Sequence, residues 1–121
     1  MRLGAHVSIS GGKYKALERG DQIDCETIQI FIRSVRSWSS SPLDQNEIEK
    51  FLAKREEFNH IYPIISHNSY LINLASRDQE KFNNSYDAML DELNKADQLG
   101  LEYVNMHPGN KDEDEPVKNA L

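Results

Sequence analysis

Histidines stand at three equivalent places in the sequence, each where an apolar, strand-forming run ends. These are His6, His67 and His107, whereas His60 lies in the polar tail of a helical stretch. Neutral imidazole is a common metal ligand, and imidazoles from neighbouring strands can converge on one ion. One histidine at such a place is more often a packed residue bonded to backbone, but three together favour a metal site.

Two imidazoles do not complete a catalytic zinc site, which usually takes three protein ligands and keeps one position for water. The acidic run at residues 112–115 is the nearest source of a carboxylate, but such a run is typical of a solvated loop. We therefore expect the further ligands to come from a part of the protein that this chain lacks.

Aromatic and basic side chains follow the second and third strand-forming runs. Tyr70 and Leu71 come just after His67, and Arg36 and Trp38 lie in the loop after the preceding strand. An exposed aromatic and aliphatic pair can act as a wedge that unstacks bases, and a cation beside a flat ring suits a phosphodiester. The alternative is that Tyr70 and Leu71 pack in a core turn and that Trp38 caps the sheet.

Four repeats of one plan position these residues: a short apolar strand, a loop and a helix. Asp44 has the place of a helix N-cap, with Glu47 three residues on as in a capping box, and Gly100 has the place of a C′ glycine. The strands are predicted at residues 3–7, 27–32, 62–66 and 102–106, and the helices at 13–19, 42–58, 78–99 and from Pro116.

Apolar residues at helical spacing predict which helix faces are buried. The predicted stripes are Ile48, Phe51, Leu52 and Phe58 in the second helix, and Phe82, Tyr86, Met89, Leu90 and Leu93 in the third. Both stripes should therefore face the sheet.

Alternating strands and helices predict an α/β fold with a parallel sheet and helices outside it. No G-x-G-x-x-G follows the first strand, which disfavours a dinucleotide-binding fold. Four βα units are half of a TIM-type barrel, which typically needs ~250 residues. We therefore expect residues 1–121 to be the amino-terminal half of a barrel domain, truncated or completed by another chain.

Composition narrows the choice of partners and compartment. The formal net charge of −6 argues against nucleic acid, since most domains that bind it are basic, but a local basic group lies within residues 31–38. No apolar run approaches the ~20 residues of a membrane span, so no membrane partner is expected. The single cysteine, Cys25, excludes an intrachain disulfide and is predicted to be structural. The sequence predicts an intracellular, cytoplasmic protein.

Four segments together resemble the amino-terminal half of the endonuclease IV family of apurinic/apyrimidinic endonucleases. They are GAHVSISGG at residues 4–12, FIRSVRSW at 31–38, HNSYLINLA at 67–75 and NMHPGN at 105–110. The segment that begins at His67 is the specific one. The order and spacing of the four extend the resemblance over essentially the whole chain.

The resemblance implies a TIM barrel with a cluster of three zinc ions at the carboxyl rim. By this resemblance His67 and His107 fall on two zinc ligands, which share one ion with a bridging glutamate. His6 falls on a family position that supports the site without a zinc assigned to it.

The resemblance also implies a substrate and a reaction. Arg36, Tyr70 and Leu71 fall on residues that enter DNA at a damaged site, where the family flips an abasic nucleotide out of the double-stranded stack. The family then hydrolyses the phosphodiester on the 5′ side of the lesion, in base-excision DNA repair.

The chain departs from the family pattern at two positions and leaves two other functions open. Asn68 replaces a common acidic residue and Val35 a polar residue or proline, while the bridging glutamate and the later ligands lie beyond Leu121. The chain alone is therefore expected to be inactive.

The alternatives are a metal-dependent sugar isomerase or epimerase on a related barrel, which the wedge of Tyr70 and Leu71 disfavours, and a non-catalytic DNA-binding fragment that dimerises through exposed strand edges.

Overall fold

The computed structural model describes residues 1–110 of the chain. Within this part, four strands alternate with three helices. The elements are β1 (Gly4–His6), α1 (Lys15–Gln22), β2 (Thr27–Ile30), α2 (Gln45–Glu57), β3 (Ile64–His67), α3 (Gln79–Gln98) and β4 (Tyr103–Asn105). The predicted helix near Pro116 and the acidic run at 112–115 lie outside the described residues.

The strands form one parallel sheet in the order β1-β2-β3-β4, so each strand pairs with its neighbours in the chain. Gly4 lies opposite Thr27, and His67 lies opposite Asn105. The predicted α/β fold with a parallel sheet is confirmed. Because all strands run the same way, their carboxyl ends meet at one edge, which is called the rim below.

The ends of the helices follow from local side-chain chemistry. Asp44 accepts a hydrogen bond from the Glu47 N–H at 2.8 Å and so caps α2 as predicted, although the Glu47 carboxylate pairs with Lys13 at 2.6 Å. Asp78 caps α3 through the Lys81 N–H at 2.7 Å. Gly100 follows α3 with φ of 67°, a conformation that glycine adopts without strain.

The core lies between the sheet and the helices. Alternate residues of β2 and β3 point into it, because successive side chains of a strand face opposite sides. Its members include Leu17, Cys25, Ile28, Ile30, Phe51, Ile61, Ile64 and Leu99. Each fully buried leucine, isoleucine or phenylalanine stabilises the fold by about 1.5–3 kcal/mol relative to exposure. The free thiol of Cys25 is buried in this core.

The predicted buried stripe of α3 is wrong for three of its five residues, because the helix turns a largely polar face to the sheet. Its buried residues are Ser85, Ala88, Glu92, Lys95 and Ala96. Tyr86, Leu90 and Leu93 are 52%, 45% and 46% exposed and form what we call the outer face of α3. Helical spacing identifies an apolar face but not its neighbour, and here the sheet offers the hydroxyl of Ser66, which donates to the Glu92 carboxylate.

One further residue of the predicted stripes lies outside the core. Leu52 of α2 is an exposed hydrophobic side chain, whereas Phe51 beside it is fully buried. Ile48 and Phe58 are partly buried and pack against the core, as predicted. No helix in the described part of the chain is long and apolar enough to cross a membrane.

Candidate functional site

The rim gathers the three histidines that the sequence singled out. His6 ends β1, His67 ends β3, and His107 lies two residues after β4. The ring centroids of His67 and His107 are 5.3 Å apart, and those of His6 and His67 are 6.3 Å apart. His60 is separate from this group, since its Nε2 lies 2.8 Å from a carboxylate oxygen of Asp21 in the last turn of α1.

Phe31 lies at the centre of this group and was not among the predicted site residues. Its ring centroid is 4.4 Å from that of His6, 5.5 Å from that of His67 and 5.6 Å from that of Tyr70. Phe31 comes two residues after Gln29 and directly after β2, with the buried Ile30 between them. The two-residue period of a strand could therefore have placed Phe31 on the histidine face.

Backbone contact fixes the proton of His67. Its Nδ1 lies 2.8 Å from the carbonyl oxygen of Asn68, which can only accept, so Nδ1 carries the hydrogen. The Nε2 lone pair is then left for a ligand, which is the usual arrangement of a metal-binding histidine.

A row of amides holds His6 in the opposite tautomer. The Asn105 side chain donates to Gln29 Oε1 at 3.3 Å, so the Gln29 amide group faces His6 Nδ1 at 3.1 Å and donates to it. The His6 proton then sits on Nε2. Burial, with a smaller contribution from the neighbouring His67, lowers the pKa of His6. His6 is thus suited to donate a hydrogen bond rather than to bind a metal through Nδ1.

The turn after β3 presents its aromatic residue to solvent. Tyr70 is 70% exposed and Leu71 is partly exposed, whereas Ile72 is buried. The Tyr70 ring centroid lies 6.3 Å from that of His67. A core position is therefore excluded for Tyr70, which stands at the surface beside the histidines.

The loop of residues 33–41, called the Arg36 loop, lies beside this turn. The Ser69 hydroxyl donates to the Val35 carbonyl at 3.3 Å, which joins the Arg36 loop to the residue before Tyr70. Arg36 itself is exposed. Trp38 lies toward α3, where it lines a cleft with Lys81 and Asn84.

Buried Arg33 fixes the base of the Arg36 loop to α3. Its guanidinium donates to the Ala88 carbonyl at 2.7 Å and to the Trp38 carbonyl at 2.8 Å. Its Nε lies 3.0 Å from the Asp91 carboxylate, an ion-pair distance without the alignment of a hydrogen bond. The loop that carries Arg36 is thus anchored on both sides.

A buried carboxyl group lies behind the rim. Glu92 is fully buried, and Lys95 beside it pairs with Asp91 at 2.8 Å. Burial raises the pKa of Glu92, and the Ser66 hydroxyl and the nearby Arg33 only partly oppose this effect. No local pattern in the sequence marked this group, because Ser66 and Glu92 are 26 residues apart.

The donors on the rim fit part of a zinc site. His67 and His107 offer neighbouring imidazoles, and imidazole nitrogen is a preferred zinc ligand. Among residues 1–110, no group of three or more histidine, cysteine, aspartate or glutamate side chains is placed to hold a metal ion. The described residues therefore do not complete a zinc site by themselves.

The fold and the rim define a class: the opening βα units of a TIM-type barrel with imidazoles at the carboxyl ends of its strands. A family model described as a xylose isomerase-like TIM barrel matches residues 17–120. The chain belongs to this family and, within it, to the endonuclease IV family.

Three relatives illustrate the likeness. The probable endonuclease 4 of Halorhodospira halophila is 46% identical over 107 residues, which cover 88% of this chain and 36% of that protein. The apurinic-apyrimidinic endonuclease 1 of Saccharomyces cerevisiae is 36% identical over 110 residues, or 89% of this chain and 30% of that protein. The crystal structure of endonuclease IV from Thermus thermophilus matches with a TM-score of 0.85 and 35% identity, over 99% of this chain and 43% of that one.

The chain thus spans well under half the length of these relatives. The match to the Thermus thermophilus structure confirms the predicted TIM-type fold class over this part.

Proposed function

We propose that residues 1–121 form the amino-terminal half of a barrel that hydrolyses DNA on the 5′ side of abasic sites. In this proposal the enzyme is a zinc-dependent endonuclease of base-excision repair, acts inside the cell and takes double-stranded DNA as its partner. Membership of the endonuclease IV family supports the proposal. The observation that carries it is that the ring centroids of His67 and His107 lie 5.3 Å apart, with the exposed Tyr70 beside them.

The histidines have two different roles in this proposal. His67, through Nε2, and His107 would hold zinc, which when bound would lower the pKa of a water molecule and offset charge on the phosphate. His6, with its proton on Nε2, donates a hydrogen bond toward the substrate and supports the site. The amides of Gln29 and Asn105 keep His6 in that tautomer.

The exposed residues of the rim recognise the lesion. Tyr70 and Leu71 fill the space that an abasic nucleotide leaves in the stack, and the edge of Phe31 supports the Tyr70 ring at 5.6 Å. Arg36, held beside Tyr70 by the Ser69 contact, meets a backbone phosphate. An exposed tyrosine of this kind has no use in an isomerase that encloses a small sugar.

Incision by this chain alone should be negligible. Catalytic zinc sites usually take three protein ligands, and the described residues supply His67 and His107. Incubation of the chain with zinc and a duplex that carries an abasic site tests this, and efficient 5′ incision would contradict it.

The recognition half of the proposal is tested by the binding of two duplexes, one with a tetrahydrofuran abasic analogue and one intact. We expect the chain to prefer the abasic duplex in fluorescence anisotropy. Tyr70→Ala should weaken that preference about tenfold or more, since aromatic stacking on a base contributes ~1–3 kcal/mol. Tyr86→Ala is the matched control, because this tyrosine is similarly exposed but belongs to α3 rather than to the turn after β3. Equal effects of the two substitutions, or no preference, would refute the proposal.

A further inference from the structure

Asn73 directly follows the turn of residues 69–72 that carries Tyr70, and this residue is only 7% exposed. Its Oδ1 accepts hydrogen bonds from the Ala75 N–H at 3.0 Å and from the Asn110 N–H at 3.2 Å. Its Nδ2 donates to the Asn110 carbonyl at 3.0 Å. One buried amide therefore joins the turn after β3 to the loop after β4.

The partners allow only one orientation of this amide. Two backbone N–H groups require an oxygen on one side, and the Asn110 carbonyl requires a donor on the other. The backbone of Asn73 is fixed separately, since its N–H donates to the buried Ser85 hydroxyl at 2.9 Å. The Asn73 backbone is therefore held without the side-chain amide, and that amide bonds to Asn110 in the loop after β4.

The absence of a side chain at Gly109 leaves room for the Asn73 amide. A Cβ atom at Gly109 would lie 2.0 Å from Asn73 Oδ1, and the φ of this glycine is +118°. Only glycine allows so close an approach. The contact brings the loop of His107, Gly109 and Asn110 against the Tyr70 turn.

A cleft of about 240 Å³ opens between the two loops. Ser69, Tyr70 and Ile72 line one wall, and His107, Gly109 and Asn110 line the other. We propose that Asn73 is a positioning residue, which fixes the width of this cleft so that Tyr70 and His107 contact one bound ligand together. The identity of that ligand, an abasic duplex, rests on the proposed function above.

Asn73→Asp is the variant that tests the proposal. It keeps the size of the side chain and the acceptor for the two N–H groups, but it sets an oxygen against the Asn110 carbonyl. Ser85→Ala is the first control, since it removes the backbone anchor of Asn73 and leaves the amide bridge intact. Asn94→Asp, on the exposed surface of α3, is the control for added charge.

Nuclear magnetic resonance of the 121-residue chain reads the coupling directly. We expect Asn73→Asp to shift the amide resonances of Gly109 and Asn110 and to lower their heteronuclear ¹⁵N Overhauser effects, while Asn94→Asp leaves both unchanged. Ser85→Ala should lower the thermal unfolding midpoint and leave the resonances of Gly109 and Asn110 close to their unaltered values. Unaltered Gly109 and Asn110 signals in Asn73→Asp would overturn the proposal.

The affinity for the two duplexes shows whether this coupling matters for binding the ligand. Asn73→Asp should reduce the preference for the tetrahydrofuran duplex about tenfold, the size expected for one lost buried hydrogen bond. If the loops uncouple and the preference is unchanged, Asn73 does not position the site. If the unaltered chain shows no preference at all, the proposed function fails, whereas the resonance measurement still decides the coupling.

One measurement avoids any substitution and holds even if the variants do not fold. Nuclear Overhauser contacts between the Asn73 side-chain amide hydrogens and Asn110 should appear in the unaltered chain. Their absence, with the amide exchanging freely with solvent, would overturn the proposal.

Discussion

At the scale of single residues, the contact that each imidazole makes through Nδ1 decides whether its Nε2 carries a lone pair or a hydrogen. The Asn68 carbonyl takes the Nδ1 hydrogen of His67 and leaves Nε2 for a metal, while the Gln29 amide takes the Nδ1 lone pair of His6. Two histidines with ring centroids 6.3 Å apart therefore present different groups at Nε2, a lone pair in His67 and an N–H in His6. Their backbone and amide partners, rather than their positions, make this difference.

Substitution tests whether His67 and His107 are the zinc ligands that we propose. His67→Ala or His107→Ala should each weaken zinc binding at least as much as the ~10–100-fold that loss of a supporting partner costs. His60→Ala should have no such effect, because this histidine pairs with Asp21 away from the rim. Competition with a chromophoric chelator measures the affinities. Equal losses in all three variants would argue against the site.

We expect Glu92 to make the stability of the protein depend on pH. Because burial raises its pKa, the folded state holds the proton more tightly than the unfolded state. Its stabilising contribution is therefore complete below the unfolded pKa and is lost as the pH rises through the raised folded pKa.

Glu92→Gln removes this dependence. The difference in free energy of unfolding between Glu92→Gln and the unaltered protein should grow in favour of the variant as the pH rises above the ordinary pKa of a glutamate, about 4.3. Urea denaturation at several pH values measures it. Glu56→Gln, an exposed position on α2, is the control and should show no trend. A constant difference for Glu92→Gln would contradict the assignment.

At the scale of elements, α1 is pressed against the sheet at a glycine. A Cβ at Gly20 would meet the Cγ2 atom of Ile28 at 2.7 Å and the Cβ of Cys25 at 3.6 Å. Ile28 is buried and β-branched, so it has little freedom to move aside. Gly20 thus sets how closely α1 approaches β2.

Gly20→Ala should therefore destabilise the protein, although alanine is the better helix former by about 1 kcal/mol. Overpacking in a core costs ~1–3 kcal/mol, which exceeds the gain in helix propensity. Chemical denaturation gives the change in free energy. The same substitution should cost less in an Ile28→Ala background, where the clash is absent. A stabilised Gly20→Ala protein would show that α1 can shift away freely.

The sequence predicts the elements well and the contacts between them poorly. The strands and caps follow from short-range rules, and the placing of His67 and Tyr70 follows from the topology of parallel strands. Asn73 and Glu92 were missed because their partners lie 37 and 26 residues away, and no period in the sequence records such pairs. The outer face of α3 was misplaced for a related reason, since amphipathicity does not say what covers a face.

At the scale of the whole molecule, the formal net charge of −6 makes local placement of cations decisive for binding DNA. Arg36 is exposed beside the Tyr70 turn. Lys54, in the last turn of α2, instead pairs with Glu18 at 3.1 Å and Glu57 at 3.0 Å. The end of a helix in a βα unit lies at the edge of the sheet opposite the rim, so Lys54 is far from the proposed substrate.

Salt dependence should single out Arg36. Each phosphate contact contributes about 0.9 to the slope of log K against log salt concentration. Arg36→Ala should reduce the magnitude of that slope by about 1, and Lys54→Ala should leave it unchanged. Anisotropy titrations over a range of salt concentrations supply the slopes. An equal change in both variants would mean that overall charge, rather than the Arg36 loop, governs binding.

The strand order β1-β2-β3-β4 has a consequence for how the chain is made. Within the described residues, β2, β3 and β4 each pair with the strand that comes directly before them in the sequence. As the polypeptide leaves the ribosome, each new strand can join an edge that is already present, and domains made in this way can begin to fold from the amino end. Throughout that growth β1 and the newest strand are the two open edges, and these edges are where a nascent chain is most exposed to a chaperone or to another copy.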